Sequence, residues 1–149
     1  MKLSRQVQYA VCGVFDLAYN GQGEPLQVRV ISERQAIPGR YLEQIFRRLR
    51  RAELVTSKRG PGGGYMLARP AREITLRDVV EAVEGPLEAA FELELSPGAP
   101  SAARPDFLWL DLAERLGAAL AELDLETLCR AAGRAQVERA NPDAPMYFI

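Results

Sequence analysis

Histidine is absent from the 149 residues, and only two cysteines, Cys12 and Cys129, are present. Without an imidazole there is no His general base, no Ser-His-Asp or Cys-His nucleophile and no His metal ligand. The commonest tools of an enzyme are missing. Two cysteines so far apart make no disulfide scaffold, and a reducing compartment keeps them as thiols. No stretch approaches the roughly 18 apolar residues of a membrane span. The N-terminal MKLSRQVQYAV lacks a signal-peptide cleavage region, which predicts a cytoplasmic protein. With 48% hydrophobic residues, the chain can bury one core and carry an appended oligomerisation element.

What is present is a split of charge that the net value of −1 conceals. Residues 1–72 hold 13 Lys/Arg against 5 Asp/Glu, a net of +8, whereas residues 73–149 hold 6 against 15, a net of −9. Such asymmetry predicts that the first half faces a polyanion and the second does not.

Most of the signal lies in residues 38–67, PGRYLEQIFRRLRRAELVTSKRGPGGGYML. Leu42, Ile45, Phe46 and Leu49 recur at i, i+3, i+4 and i+7, which predicts a helix from about Gly39 to Ala52 with one core-facing stripe. Arg40, Glu43, Gln44, Arg47 and Arg51 fall on its other side. Leu54–Ser57 and Tyr65–Leu67 read as short strands around KRGPGGG, a hairpin wing. Upstream, Ser4 caps a first helix that is apolar on more than one face and ends at the turn Asn20–Gly23. Residues 26–35 begin extended and become a short helix capped near Ser32. Downstream, Thr75 caps a helix through LRDVVEAVEG, and Pro, Ala, Gly and Ser mark a flexible loop up to Pro105. A strong helix then starts with Asp106 as its N-cap, and its length is roughly 25 Å. Trp109, Leu112, Leu116, Ala119 and Leu123 form a heptad-like stripe, suited to pairing with a second copy across a two-fold axis. The alternative use of that stripe is to complete the monomer's own core. A shorter helix at LETLCRAAGRAQ and a loop-like tail follow.

The fold class these elements predict is mainly α with a small β-wing: a winged helix-turn-helix plus a long C-terminal dimerisation helix. The expected division is a DNA-binding domain at 1–86, a flexible loop at 87–105, and a dimerisation helix, short helix and tail at 106–149.

Duplex DNA presents dense phosphate charge and base edges in a major groove that admits one helix. Arg47, Arg48, Arg50 and Arg51 can neutralise phosphates, and Ser4 and Arg5 at the start of the first helix join them as candidate contacts. Arg40, Tyr41, Glu43 and Gln44 stand near the N-terminal end of the basic helix, where recognition helices approach bases. Arginine can pair with guanine, glutamine with adenine, and glutamate can accept from cytosine. In the wing, Ser57, Lys58, Arg59 and Gly60 are candidate contacts, with Arg59 placed for a minor groove. The wing glycines would let backbone approach the sugar-phosphate closely. Read alone, RRLRR is also what a solvated helix face looks like; the adjoining basic wing and the preceding helix-turn decide against that. The glycine run is no phosphate-binding P-loop, which needs Gly-Lys followed by Ser or Thr where this chain has Gly64-Tyr65-Met66.

YLEQIFRRLRRAELV followed by RGPGGGYML and VVEAVEG closely resembles the IscR/NsrR/CymR family of bacterial winged-helix transcription regulators. The resemblance extends through SRQVQYAV, ISERQAIPGRYLEQ and FLWLDLAERL. It implies a homodimer whose long helices pair and whose wings straddle a pseudo-palindromic operator, most simply as a repressor. By position it implies base reading by Arg40, Tyr41, Glu43 and Gln44, and wing contacts by Ser57 and Arg59. Relatives that sense iron, nitric oxide or redox state carry three cysteines in the loop before the long helix, commonly with a histidine at its start. EAAFELELSPGAPSAARPD has no cysteine, and Asp106 stands about where that histidine would be. An iron–sulfur cluster of the family type is therefore not expected, and no cofactor or metal is. Cys12 lies in the first helix, from which some relatives draw a ligand. It reads as a small buried thiol or, if exposed and electropositively placed, a redox switch.

Cluster-free members of that family resemble regulators of cysteine and sulfur metabolism that act with O-acetylserine sulfhydrylase, an enzyme that binds C-terminal tails ending in isoleucine. Tyr147, Phe148 and Ile149 close this sequence, so Ile149 is a candidate for docking in that enzyme, with O-acetylserine as competitor. Folding of MYFI back onto the chain's own dimer is the other reading. The leading expectation is a dimeric DNA-binding regulator of cysteine, sulfur or iron–sulfur metabolism genes. The alternatives are a winged-helix interaction scaffold and a redox-responsive regulator using Cys12.

Overall fold

The computed structural model describes residues 3–91 and 104–143. Helix α1 spans Arg5–Asn20, and the Ser4 hydroxyl caps it by accepting from the Val7 amide at 3.1 Å. Its buried side carries Val7, Ala10, Val14, Leu17 and Ala18. Asp16 on the same helix is also wholly buried. Its carboxylate accepts from Arg34 Nε at 3.0 Å, Arg34 Nη2 at 2.5 Å and Gln35 Nε2 at 2.8 Å, which fastens the second helix to the first.

That second helix, α2 (Val28–Gln35), starts earlier than the sequence reading had it. The segment does begin extended, as expected: Gln27 has extended backbone, and Leu26 forms an antiparallel bridge to Tyr65. Its amide donates to the Tyr65 carbonyl at 2.9 Å and its carbonyl accepts from the Tyr65 amide at 2.8 Å. Ser32 does not cap the start of α2; its hydroxyl closes the far end by donating to the Ile37 carbonyl at 2.6 Å. Ala36 takes the left-handed conformation (φ 52°) and turns the chain into α3, Gly39–Arg51. The expected stripe of α3 is the buried one: Leu42, Ile45, Phe46 and Leu49 are each at most 3% exposed.

Strands β1 (Val55–Lys58) and β2 (Gly64–Leu67) pair antiparallel in the register Val55↔Leu67 to Lys58↔Gly64. Leu26 braces this ribbon on the side of β2. After a 3₁₀ turn at Ala71–Glu73 comes α4, Leu76–Glu84. Thr75 and Asp78 form a reciprocal capping box there, as expected of Thr75. The segment expected to be irregular from residue 87 instead begins with a short helix, α5 (Leu87–Ala90).

Helix α6 runs from Asp106 to Ala121 with Pro105, not Asp106, at the N-cap. The Asp106 carboxylate faces Arg104 Nε at 3.5 Å, and as a first-turn acid it still complements the helix dipole. Helix α7 (Leu125–Arg134) is capped by Asp124, which accepts from the Thr127 amide at 2.7 Å. Leu125 and Cys129 of α7 join α1, α2, α3 and the wing base in the main core, whereas Leu116 and Leu120 of α6 pack on Val7, Val80 and Leu87. The predicted stripe of α6 is thus divided. Ala113 and Gly117 are buried and Leu116 is turned inward, while Leu112 and Leu123 remain 37% and 39% exposed and Ala119 is exposed. Trp109 is half-buried. Among the described residues no helix is long and apolar enough to cross a membrane.

Candidate nucleic-acid interface

Four buried side chains seat α3, so its remaining residues are forced outward. Arg40, Glu43, Arg47 and Arg50, at i, i+3, i+7 and i+10, form the ridge opposite the buried stripe, and all are exposed. Tyr41, Gln44 and Arg48 form a second ridge toward α1. With Arg5, Gln6 and Tyr9 of α1 and Ile45 of α3 they line a cleft of about 260 Å³. Arg5, Tyr41, Gln44 and Arg48, named from the sequence on separate grounds, are therefore one constellation, and no carboxylate lines it.

The wing presents Lys58, Arg59 and Gly60 to solvent. Ser57 is tied to the helix, since Arg50 Nη1 donates to its hydroxyl at 3.1 Å. The glycines of the turn divide by role. Gly60 (φ 88°) and Gly62 (φ 71°) have open space where a side chain would stand. A Cβ on Gly63 would meet the Lys58 carbonyl at 2.3 Å, and one on Gly64 would meet the Leu26 carbonyl at 2.3 Å. The last two glycines serve the fold of the hairpin itself, a role beside the close approach expected of the run.

Besides Arg50 and Ser57, two more expected contacts are already engaged within the chain. The Ser4 hydroxyl donates to the Glu84 carboxylate besides capping α1, so its only proton is committed. Arg48 Nη1 donates to Gln6 Oε1 at 2.7 Å and to the Val83 carbonyl at 2.9 Å. Gln6 and Leu26 carry no sequence signal for these roles, because both arise from segments that are distant along the chain.

Electrostatics separates this face from the rest of the surface. Arg29, Arg34, Arg69, Arg72, Arg77, Arg104, Arg115 and Arg130 each pair with a carboxylate. Among the described residues, Arg40, Arg47, Arg51, Lys58 and Arg59 have no such partner, and although Glu43 stands on the ridge between Arg40 and Arg47, the face keeps a net positive field.

Neither cysteine is prepared for thiolate chemistry. Burial pushes the Cys129 thiol up to about 12. Cys12 reaches the surface of α1, yet the water displaced around it also raises its thiol, and no cation lowers it. Among the described residues no group of three His, Cys, Asp or Glu is placed to hold a metal. Two cysteines and no histidine in the whole sequence are too few for the three-cysteine set that the resemblance associates with a cluster. Tyr147, Phe148 and Ile149 lie outside the described residues.

A basic helix docked across two others, followed by a two-stranded glycine-tipped hairpin, defines a winged helix-turn-helix protein. The chain matches the model of the Rrf2 family, described as an iron-dependent transcriptional regulator, over residues 3–131, and it belongs to that family of regulators, which are not enzymes. It is 40% identical over 132 residues to the HTH-type transcriptional regulator IscR of Xenorhabdus nematophila, covering 87% of this chain and 80% of that protein. Among solved structures it is similar to T. potens IscR, with a TM-score of 0.72 and 32% identity covering 93% of each chain. It is also similar to CymR, the global cysteine regulator of B. subtilis, with a TM-score of 0.71 and 30% identity covering 88% of this chain and 98% of that one.

Proposed function

We propose that this chain is a homodimeric, sequence-specific repressor in the cytoplasm that reads a pseudo-palindromic operator. In this reading α3 enters the major groove with Arg40, Tyr41, Glu43 and Gln44 toward base edges and Arg47 toward phosphate, while Arg59 at the wing tip reaches the minor groove. The observation that carries it is the unpaired cationic face of α3 and the wing beside a chain whose other arginines mostly hold carboxylates. The exposed flank of α6, with Leu108, Leu112 and Ala119, together with Leu123 just beyond its end, supplies the surface for the second copy.

The regulator acts without an iron–sulfur cluster in this proposal, because the donor set does not suffice. Likeness to the global cysteine regulator of B. subtilis supports genes of cysteine metabolism as targets, and O-acetylserine sulfhydrylase is proposed, on the resemblance of the sequence alone, as a partner that the Tyr147–Ile149 segment would engage.

Footprinting of bound genomic fragments across a salt series tests the DNA reading. A regulator protects discrete two-fold sites, and its affinity falls steeply with salt as counterions are released. Uniform, sequence-blind protection points to the scaffold alternative. An ultraviolet–visible spectrum of anaerobically purified protein tests the cofactor statement, since charge-transfer bands in the visible region would refute it. Pull-down of the sulfhydrylase by the full chain and by one lacking Tyr147–Ile149 tests the partner; equal capture removes it.

A further inference from the structure

Arg48 differs from every other arginine on α3. The two N–H groups of its Nη1 serve two acceptors on two other helices, Gln6 in the first turn of α1 and the Val83 carbonyl in the last turn of α4. The final carbonyls of a helix have no partner within it, and a cation there also meets the negative end of the dipole. Arg48 thus closes the end of α4 while gripping the start of α1. Ser4 joins the same two elements through Glu84. Arg47, one residue away, has no partner among the described residues.

We propose that Arg48 is a positioning residue, which fixes the angle of α3 against α1 and α4 and so sets how sharply the helix discriminates between sequences, rather than a phosphate contact. The proposal rests on the DNA-binding reading above. The apolar stripe of α3 holds the helix to the core, but apolar burial is non-directional and resists a small roll or slide only weakly. Base recognition needs side chains held within about 0.5 Å of their productive positions. Two hydrogen bonds from one planar group supply the missing direction. Non-specific binding depends on charge alone and does not need that precision.

The experiment measures affinity for the footprinted site and for a random duplex of equal length, each across a salt series. It uses the full chain and the variants Arg47→Ala, Arg48→Ala, Arg48→Lys and Gln6→Ala. Arg47→Ala is expected to lower the log–log salt slope by about 1.8, the value of one lost phosphate contact in each protomer of the dimer. Arg48→Ala should leave the slope unchanged and reduce the ratio of specific to random affinity about tenfold, a loss of placement. Gln6→Ala removes no charge and should still reduce the ratio, and Arg48→Lys should fail to restore it because Lys Nζ stops short of the Nη1 position that meets both acceptors and lacks the rigid guanidinium plane. A slope lowered by about 1.8 in Arg48→Ala with the ratio intact overturns the proposal. So does a ratio unmoved by Gln6→Ala, the variant that carries the comparison if Arg48→Ala does not fold. A thermal double-mutant cycle between Gln6→Ala and Arg48→Lys needs no DNA and is expected to be non-additive. Strict additivity there also overturns it. If the full chain finds no specific site, the functional reading fails by itself, and the cycle still decides whether Arg48 grips α1.

Discussion

The Asp16 carboxylate on α1, with no exposed surface, receives both Nε and Nη2 of Arg34 on α2. This pair joins the two helices that support α3, and Gln35 adds a third hydrogen bond to the same carboxylate. Taking two charges out of water is costly, so the pair adds little net stability compared with an apolar pair of equal size. Breaking it is another matter, because one charge is then left buried.

Arg34→Ala is therefore expected to destabilise the fold by about 3 kcal/mol, the lower end for an uncompensated buried charge, since Arg34 itself is partly exposed. For a chain of this size that lowers the melting temperature by roughly 10 °C. Combining Asp16→Leu with Arg34→Leu should recover most of the loss. Thermal unfolding followed by circular dichroism checks both, and a loss under about 1 kcal/mol for Arg34→Ala would mean the pair is not structural.

In the wing, alanine should cost very different amounts at two nearby glycines. Gly60→Ala meets nothing and carries only the penalty of a left-handed backbone, about 1 kcal/mol. Gly64→Ala places a methyl at 2.3 Å from the Leu26 carbonyl, and the bridge between Leu26 and Tyr65 must open. A cost of about 3 kcal/mol or more follows, with faster exchange of the Leu26 and Tyr65 amides. Equal melting temperatures for the two variants would refute the division of glycines.

The two sides of α6 predict a separation of effects. Leu112→Glu lies on the exposed flank and should shift the protein toward monomer with nearly unchanged monomer stability. Leu116→Ala, packed over Val7, Val80 and Leu87, should cost about 2 kcal/mol without preventing association. Sedimentation velocity reads the first and chemical denaturation the second. An unaltered sedimentation coefficient for Leu112→Glu would remove that flank from any dimer contact.

Cys129 imposes an alkaline limit on stability. Its folded pKa, about 12, lies above the ordinary value of 9.0 because burial opposes the thiolate. The unfolded chain therefore loses this proton first. The stabilising contribution is complete below pH 9.0 and is lost as pH rises toward about 12. The slope approaches about 1.4 kcal/mol per pH unit within that window. Cys129→Val should flatten this part of the curve. Under native conditions at pH 8, an aromatic disulfide reagent should label Cys12 alone, and both thiols only after denaturation; rapid native labelling of Cys129 contradicts its burial.

The helices that carry a strong local signal were legible without coordinates. The stripe Leu42–Ile45–Phe46–Leu49 names a helix and its buried side together, since only a 3.6-residue period lines those four up. Thr75 announced a capped helix start, and the structure adds Asp78 as the reciprocal partner of the box. The basic outer ridge of α3 follows from the same period. The extended start of residues 26–35 was legible as well, but a cap near Ser32 was not what formed: α2 already begins at Val28, because the edge of β2 pairs with Leu26 alone. Along α6, Leu112 and Leu116 belong to one heptad pattern, and nothing in that pattern says which of them α4 and α5 will cover.

The sequence alone determined periodicity and capping, because those depend on neighbours within about one helical turn, and the separation of positive from negative charge, because that is set by composition alone. Tertiary structure decided which polar groups remained available. Arg47 and Arg48 are identical side chains one position apart, and only the approach of α1 and the end of α4 commits one of them and leaves the other open. Hydrogen bonds between segments 35 to 80 residues apart have no local signature; they exist only once apolar burial has brought the helices together.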